Sequence, residues 1–359
     1  MASRSNRSPL ATDRRSSEAL ARCPQLGHAA SMDGSTSERA ETLEAIPCIF
    51  CGDRDAPSVF HENGYEARQC SQCGLIFVSP RPTAEFVAEL YRQDDAHLSA
   101  QSHLAGFGSR IGRLYARHSL RAVRRHAAEG RFLEIGAGNG NVLAEARSAG
   151  FDVYGVELNP IQAEFINDRL DITCAASIED ARRETQDRGF DIVYHSDVLS
   201  HFFDPVAEFR RIHELLRPGG LHVFETGNLG DVERRYFRLF HRFQLPDHLF
   251  FFSDRNIDAL LAESGFERIA THRYSLVPQL ALTSWLRRLR ARVRGQAPAT
   301  RNDSAQVPAV PASTGNHSVL WTVFEHLVFI LRYKIGAMAP KRGRPQTVIV
   351  IARKTSTTW

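Results

Sequence analysis

A chain of 359 residues with 43% hydrophobic side chains exceeds one average domain and can fill a substantial core, so one large domain with appendages is expected. The formal charge of +4 and isoelectric point near 8.8 are too mild to imply nucleic acid from net charge alone, although positive charge is concentrated towards the C-terminus. Six cysteines, four of them in two close pairs, argue against a disulfide framework and for metal ligation in a reducing compartment, so a cytoplasmic location is expected.

Residues 1–44 are rich in Ser, Arg, Ala and Glu without a sustained apolar period, and a disordered tail is expected there. No apolar h-region follows the basic N-terminal residues, so no secretory signal is expected, and Asp13, Glu18 and Asp33 argue against an Arg-rich transit peptide. Next, Cys48-Ile49-Phe50-Cys51-Gly52 and Cys70-Ser71-Gln72-Cys73-Gly74 form two C-x-x-C-G knuckles. Such knuckles bring four thiolates around zinc, and residues 45–82 are read as a zinc ribbon. With Cys48, Cys51, Cys70 and Cys73 as ligands no coordination position stays open, so the Zn2+ is structural. Four unligated core cysteines are the alternative; a redox C-x-x-C lacks its βαβ surroundings. Cys23 and Cys174 receive no role.

Leu75 to Val78 reads as a short strand halted by Ser79-Pro80-Arg81-Pro82, and Thr83 can cap a helix to about Tyr91. A second helix, Ile111 to Ala127, carries arginines on a face read as solvated. From Arg131 the patterns alternate: strands at Phe132–Gly136, Val153–Glu157, near Ile172, Phe190–His195 and Leu221–Glu225, with helices between them. Asn159-Pro160 and Asp204-Pro205 are helix starts with proline in the tolerated first turn. Such βα alternation argues for a parallel sheet covered on both faces, with ligands beyond the carboxyl ends of its strands.

The strand at Phe132 passes abruptly into a helix through Glu134-Ile135-Gly136-Ala137-Gly138-Asn139-Gly140. Its glycines allow close backbone approach, and a helix start presents free N–H groups and a positive dipole end to a polar ligand. The G-x-G-x-G spacing departs from the G-x-G-x-x-G of dinucleotide binders. Glu157, 17 residues after Gly140, ends the second strand, where a carboxylate can accept both hydroxyls of a ribose.

In these residues, with Asp191-Ile192-Val193-Tyr194, Asp204-Pro205 and Leu216-Arg217-Pro218-Gly219-Gly220, the chain resembles the class I S-adenosylmethionine-dependent methyltransferases. It is most similar to bacterial small-molecule methyltransferases that begin with a four-cysteine zinc ribbon. Cys73 to Pro82, Tyr91 and Pro246-Asp247-His248-Leu249-Phe250-Phe251-Phe252-Ser253 also fit that type. The resemblance covers about residues 45–275 and 345–354. It implies a Rossmann-like, doubly wound seven-stranded α/β sheet with an antiparallel last strand, supplied by Thr347 to Arg353. It also implies that S-adenosyl-L-methionine is held by Gly136, Gly138 and Gly140 at its methionine end and by Glu157 at its ribose. Glu134 would orient the glycine loop, and Asp197 would lie near the amino acid portion. Ser200-His201 stands where relatives commonly have Glu-His, which removes a candidate base or simply a loop-packing charge.

Methyl transfer mainly requires alignment and exclusion of water, with a base only where the acceptor must lose a proton. His201 and His248 are the candidate bases, each with a loop-holding role as the alternative. The expected organisation is a tail at 1–44, ribbon at 45–82, methyltransferase core at 83–276, insertion at 277–344, and final strand and tail at 345–359.

The insertion before the last strand is far longer than a hairpin needs. Trp285 to Arg294 mixes apolar residues with five arginines; a Pro/Ala/Ser-rich linker, about 296–318, precedes an apolar helix, Val319 to Ile335. That helix is too short to favour spanning a bilayer and carries Glu325 and His326 at its centre. Leu320, Val323, Phe324, Leu327 and Leu331 are expected to bury a stripe. The insertion is read as a substrate-cavity lid or as a basic amphipathic element contacting an anionic membrane through 285–335; nucleic acid is less favoured. The expected acceptor is a small molecule of sugar, glycan or natural-product type, lipid-linked or amphiphilic if the membrane reading holds. The alternative is a non-catalytic cofactor-binding module that docks on nucleic acid or a protein partner, and a nicotinamide-dependent reductase is disfavoured by the glycine spacing.

Overall fold

The structure, a computed structural model, describes residues 43–87, 104–185, 188–293 and 319–356. The tail before residue 43, the end of the helix begun at Thr83, and the linker at 296–318 lie outside the described residues. Five short strands come first: β1 (Leu43–Glu44), β2 (Ser58–Glu62), β3 (Tyr65–Gln69), β4 (Ile76–Val78) and β5 (Arg81–Pro82). Thr83 Oγ1 accepts the Phe86 N–H at 3.3 Å, the cap expected of it.

The βα series follows as α1 (Arg110–Arg124), β6 (Arg131–Ile135), α2 (Asn141–Ser148), β7 (Asp152–Val156), α3 (Pro160–Leu170), β8 (Cys174–Ala175), α4 (Ile178–Glu184), β9 (Phe190–Ser196), α5 (Pro205–Leu215) and β10 (Leu216–Gly227). Then come β11 (Phe250–Phe251), α6 (Asp254–Glu263), β12 (Phe266–Ser275), α7 (Val277–Val293), α8 (Val319–Phe329), a π-helical turn at Ile330–Ile335, α9 (Gly336–Met338) and β13 (Gln346–Lys354). Asn159 and Asp204 cap α3 and α5 through their side chains, each followed by proline.

Seven strands form one sheet in the order β12-β13-β10-β9-β6-β7-β8. β6, β7, β8, β9 and β10 are mutually parallel, and β13 runs antiparallel to both β10 and β12. This is the doubly wound sheet with an antiparallel last strand. Its central strands carry adjacent buried apolar residues because both faces are covered. Leu133, Val193, Phe224 and Val350 point into one layer with Phe209, Ile212 and Leu260 of α5 and α6, while Phe132, Ile192, Val223 and Ile351 point into another with Leu120, Leu143 and Ile166 of α1, α2 and α3. Neighbours in sequence thus alternate between layers, as the pleat requires.

A four-stranded sheet, β11-β4-β3-β2, joins the N-terminal module to the core, since β11 lies beyond β10 in sequence. Arg81 strengthens this junction: its Nε binds Glu44 at 2.7 Å and its Nη1 donates to the Phe203 carbonyl at 2.8 Å. Asn256 Nδ2 donates to the Cys73 carbonyl at 3.0 Å, tying the second knuckle to α6.

One expectation fails in the insertion. Val323 and Leu327 are not buried; they are 61% and 42% exposed, and the side of α8 turned to the protein carries other residues, down to the buried Phe329 and Tyr333. The apolar content of this helix exceeds what a single contact face can cover.

Candidate active site

The chain reverses its winding between β6 and β9, and the loops after these strands open a crevice at their carboxyl ends. Gly136, Gly138 and Gly140 all have positive φ, at 71°, 55° and 76°, so the turn needs residues without a Cβ. Their surroundings differ. A Cβ on Gly136 would stand 2.6 Å from Val198, and one on Gly140 would stand 2.6 Å from Leu170, whereas one on Gly138 would meet nothing within 4 Å. The first and third glycines are therefore required by the protein's own packing, and the second borders open space.

Glu157 follows β7 and is 9% exposed. Its Oε2 accepts the Gly138 N–H at 2.8 Å and its Oε1 accepts the Asn159 N–H at 2.9 Å, so the carboxylate ties the glycine loop to the next helix start. Glu134 lies on β6 beside Gly155 and Tyr194 of the flanking strands. It is buried, its Oε2 has no hydrogen-bond partner, and its pKa is raised well above the usual carboxylate range by burial, with the charge of Glu157 adding to the effect. Leu158, next to Glu157, is 67% exposed despite its apolar side chain.

On the other side of the crevice Asp197 sits at φ 55° directly after β9, its N–H bonded to the Glu225 carbonyl at 3.0 Å. It borders a cavity of about 220 Å³ at the ends of β9 and β10, whose wall includes Ser200, Asn228, Phe243, His248 and Gln346. His201 and His248 meet edge to face with ring centroids 4.8 Å apart. Burial lowers the pKa of both; the His248 value falls to about 4, helped by proximity to His201, while Asp247 and Asp197 partly oppose the shift at His201. Both rings are thus neutral at neutral pH, with His248 on the cavity wall.

Two supports of this region were invisible in the sequence. From the N-terminal module, the buried Glu62 accepts the N–H groups of Phe243 and Leu245 at 2.9–3.0 Å, and Asn63 Nδ2 donates to the Leu245 carbonyl at 2.7 Å. From the insertion, Arg332 Nη2 and Tyr333 Oη donate to Oε1 of the buried Glu225 at 2.9 and 3.0 Å. The loop carrying His248 is therefore braced by β2, and the end of β10 is latched to the insertion.

The four knuckle sulfurs lie within 4.8 Å of one another. Cys48 Sγ is 3.4 Å from Cys73 Sγ and Cys51 Sγ is 3.2 Å from Cys70 Sγ; the N–H groups of Gln72 and Cys73 point at Cys70 Sγ, both at 3.4 Å. Among the described residues this is the single cluster of metal-ligating side chains found. No helix among the described residues is long and apolar enough to cross a membrane.

A ubiquinone biosynthesis O-methyltransferase from Ruegeria pomeroyi is 31% identical over 105 residues, which is 27% of this chain and 41% of that protein. Phosphoethanolamine N-methyltransferase 3 from Arabidopsis thaliana is 31% identical over 93 residues, 24% of this chain and 19% of that protein. The matched stretches thus span less than half the length of these relatives. Among solved structures, 1,6-didemethyltoxoflavin-N1-methyltransferase from Burkholderia thailandensis superposes with a TM-score of 0.43 and 16% identity, covering 84% of this chain and 100% of that one. Residues 107–271, which include the glycine loop, Glu157 and Asp197, match the family model described as a methyltransferase domain.

Proposed function

We propose that this chain transfers a methyl group from S-adenosyl-L-methionine to a small-molecule acceptor held in the cavity beside Asp197 and His248. The observation that carries the reading is the crevice at the reversal of the sheet. There a positive-φ glycine with open space beyond its Cα is bonded to a carboxylate at the end of the next strand. A buried Glu134 oxygen without a partner and an exposed Leu158 at the same strand ends suit a ligand with polar and apolar parts. Gly136 to Gly140 would hold the amino acid portion of the cofactor near Asp197, Glu157 its ribose, and Leu158 its base. The sulfonium supplies an already activated methyl group. What remains for the protein is to align the acceptor and keep water out, and an aromatic-walled cavity braced from two sides does both. Where the acceptor must lose a proton, the neutral imidazole of His248 takes it, with His201 against its ring. The known relatives methylate both oxygen and nitrogen by their names, so the acceptor class stays at small molecule, of the sugar, glycan or natural-product type.

We further propose that Cys48, Cys51, Cys70 and Cys73 hold a structural Zn2+. Their mutual spacing and the N–H groups directed at sulfur suit a closed tetrahedral thiolate site. Calorimetry with S-adenosylmethionine and, separately, with NAD tests the cofactor; binding of NAD alone overturns the proposal. A screen of cell extract with labelled cofactor and mass readout then identifies the acceptor, and elemental analysis of the purified protein tests the metal.

A further inference from the structure

Ten large hydrophobic side chains stand out as exposed among the described residues, and all but Leu158 belong to the insertion. On α7 they form a helical stripe: Trp285, Leu289 and Val293 are 59%, 42% and 80% exposed at successive turns. Arg288 and Arg292, three residues after Trp285 and Leu289, share that outward side, and Arg290 is exposed as well. The opposite side of α7 packs on the core, where Ser284 is buried and Arg287 donates to the Leu239 carbonyl at 3.3 Å. The segment from α8 through the π-helical turn to α9 repeats the pattern: Val323, Leu327, Ile330 and Met338 are exposed at 61%, 42%, 46% and 81%, with Lys334 among them. Over Val277–Val293 there are four arginines and no acidic residue. An aqueous surface gives no reason to display large apolar side chains in this number, whereas scattered single ones need no explanation.

We propose that α7 and the α8–α9 segment form a docking surface for an anionic lipid bilayer. Apolar side chains would enter the headgroup boundary, and Arg288, Arg292 and Lys334 would meet lipid phosphates. Charge complementarity selects this occupant: an apolar partner protein would not call for guanidinium groups in line with a Trp and two aliphatic residues, and an RNA would not call for the aliphatic residues. The surface is also fixed to the methyltransferase domain, because Arg332 and Tyr333 of the same insertion hold Glu225 at the end of β10. Docking would therefore set the acceptor cavity at a defined position over the membrane.

The test is sedimentation of the full-length protein with phosphatidylcholine vesicles and with vesicles containing phosphatidylglycerol, at low and high salt, followed by Trp fluorescence. Binding confined to the anionic vesicles, weakened by salt and accompanied by a blue shift, is the expected result. Arg288→Gln and Arg292→Gln should each lower partitioning about fivefold. Trp285→Ser with Leu289→Ser should abolish it while lowering the thermal midpoint by no more than a few degrees, because both side chains are only partly buried. Absence of binding to anionic vesicles overturns the proposal, as does binding indifferent to these substitutions. So does a dimer, seen by light scattering, that buries Trp285 and ignores vesicles, or a preference for single-stranded RNA over lipid.

Discussion

Gly138→Ala separates a glycine kept for a ligand from glycines kept for the fold. At φ 55° an L-residue costs about 1–2 kcal/mol, and the new methyl group meets nothing within 4 Å, so no packing penalty is added. The ligand-free protein should therefore melt only a few degrees lower, at about 2–4 °C per kcal/mol for a domain of this order. Wild-type protein with cofactor at about a hundred times its Kd gains about 2.7 kcal/mol, which at that scale is about 5–10 °C. In Gly138→Ala the methyl group occupies the space assigned to the cofactor, and that gain should vanish. Gly140→Ala should behave in the opposite manner. Its Cβ would stand 2.6 Å from Leu170 and 3.3 Å from Ile166, so overpacking of about 1–3 kcal/mol joins the strain and the ligand-free midpoint drops further. Differential scanning fluorimetry of the three proteins with and without S-adenosylmethionine reads both effects. A Gly138→Ala protein that keeps the full cofactor shift refutes the assignment of that space.

Three further outcomes are expected. His248→Ala should lower turnover and leave cofactor affinity near wild type; because burial depresses the His248 pKa from 6.5 to about 4, the wild-type rate should show no acid limb centred at 6.5, and one found there removes His248 as the base. The same depression favours folding fully above pH 6.5 and loses that contribution as pH falls towards 4, which acid melts would record. Arg332→Met leaves Glu225 buried with Tyr333 as its remaining donor and should cost about 3 kcal/mol by thermal or urea unfolding, with Glu225→Gln in the same protein restoring part of it; an unchanged midpoint sinks the latch. Stripping the proposed Zn2+ with a chelator should loosen the wall formed by Phe243 and Leu245, which Glu62 holds from β2, and so weaken acceptor binding more than cofactor binding; equal loss of both in calorimetry refutes this division of labour.

The sheet was readable because its strands carry a long-range demand in a local code. Leu133 and Phe132, or Val193 and Ile192, are apolar in adjacent pairs only if both faces are covered, and the helices between them start at Asn159-Pro160 and Asp204-Pro205 by side-chain caps that need no tertiary context. The glycine loop was readable in the same way, as a run of alternate glycines between a strand and a helix start that lets backbone approach a ligand closely. What escaped were contacts between distant segments. Arg332 and Glu225 are 107 residues apart, and neither has neighbours in sequence that announce a partner. β11 is two residues long, below the length at which any periodicity exists, yet it completes the sheet of the N-terminal module. Val323 and Leu327 of α8 stay exposed because apolar spacing reports which residues can be covered, not whether anything covers them.

The pairing of β11 with β4 has a consequence for the order in which the molecule can be assembled. During synthesis β2, β3 and β4 emerge early, but their fourth strand is not available until Phe251 has left the ribosome, after most of the βα series. Until then β4 offers a bare edge of unpaired N–H and C=O groups. The N-terminal module is therefore finished by the domain it precedes, and cutting the chain between them would leave β4 and β11 each with an open edge rather than yield two sound pieces.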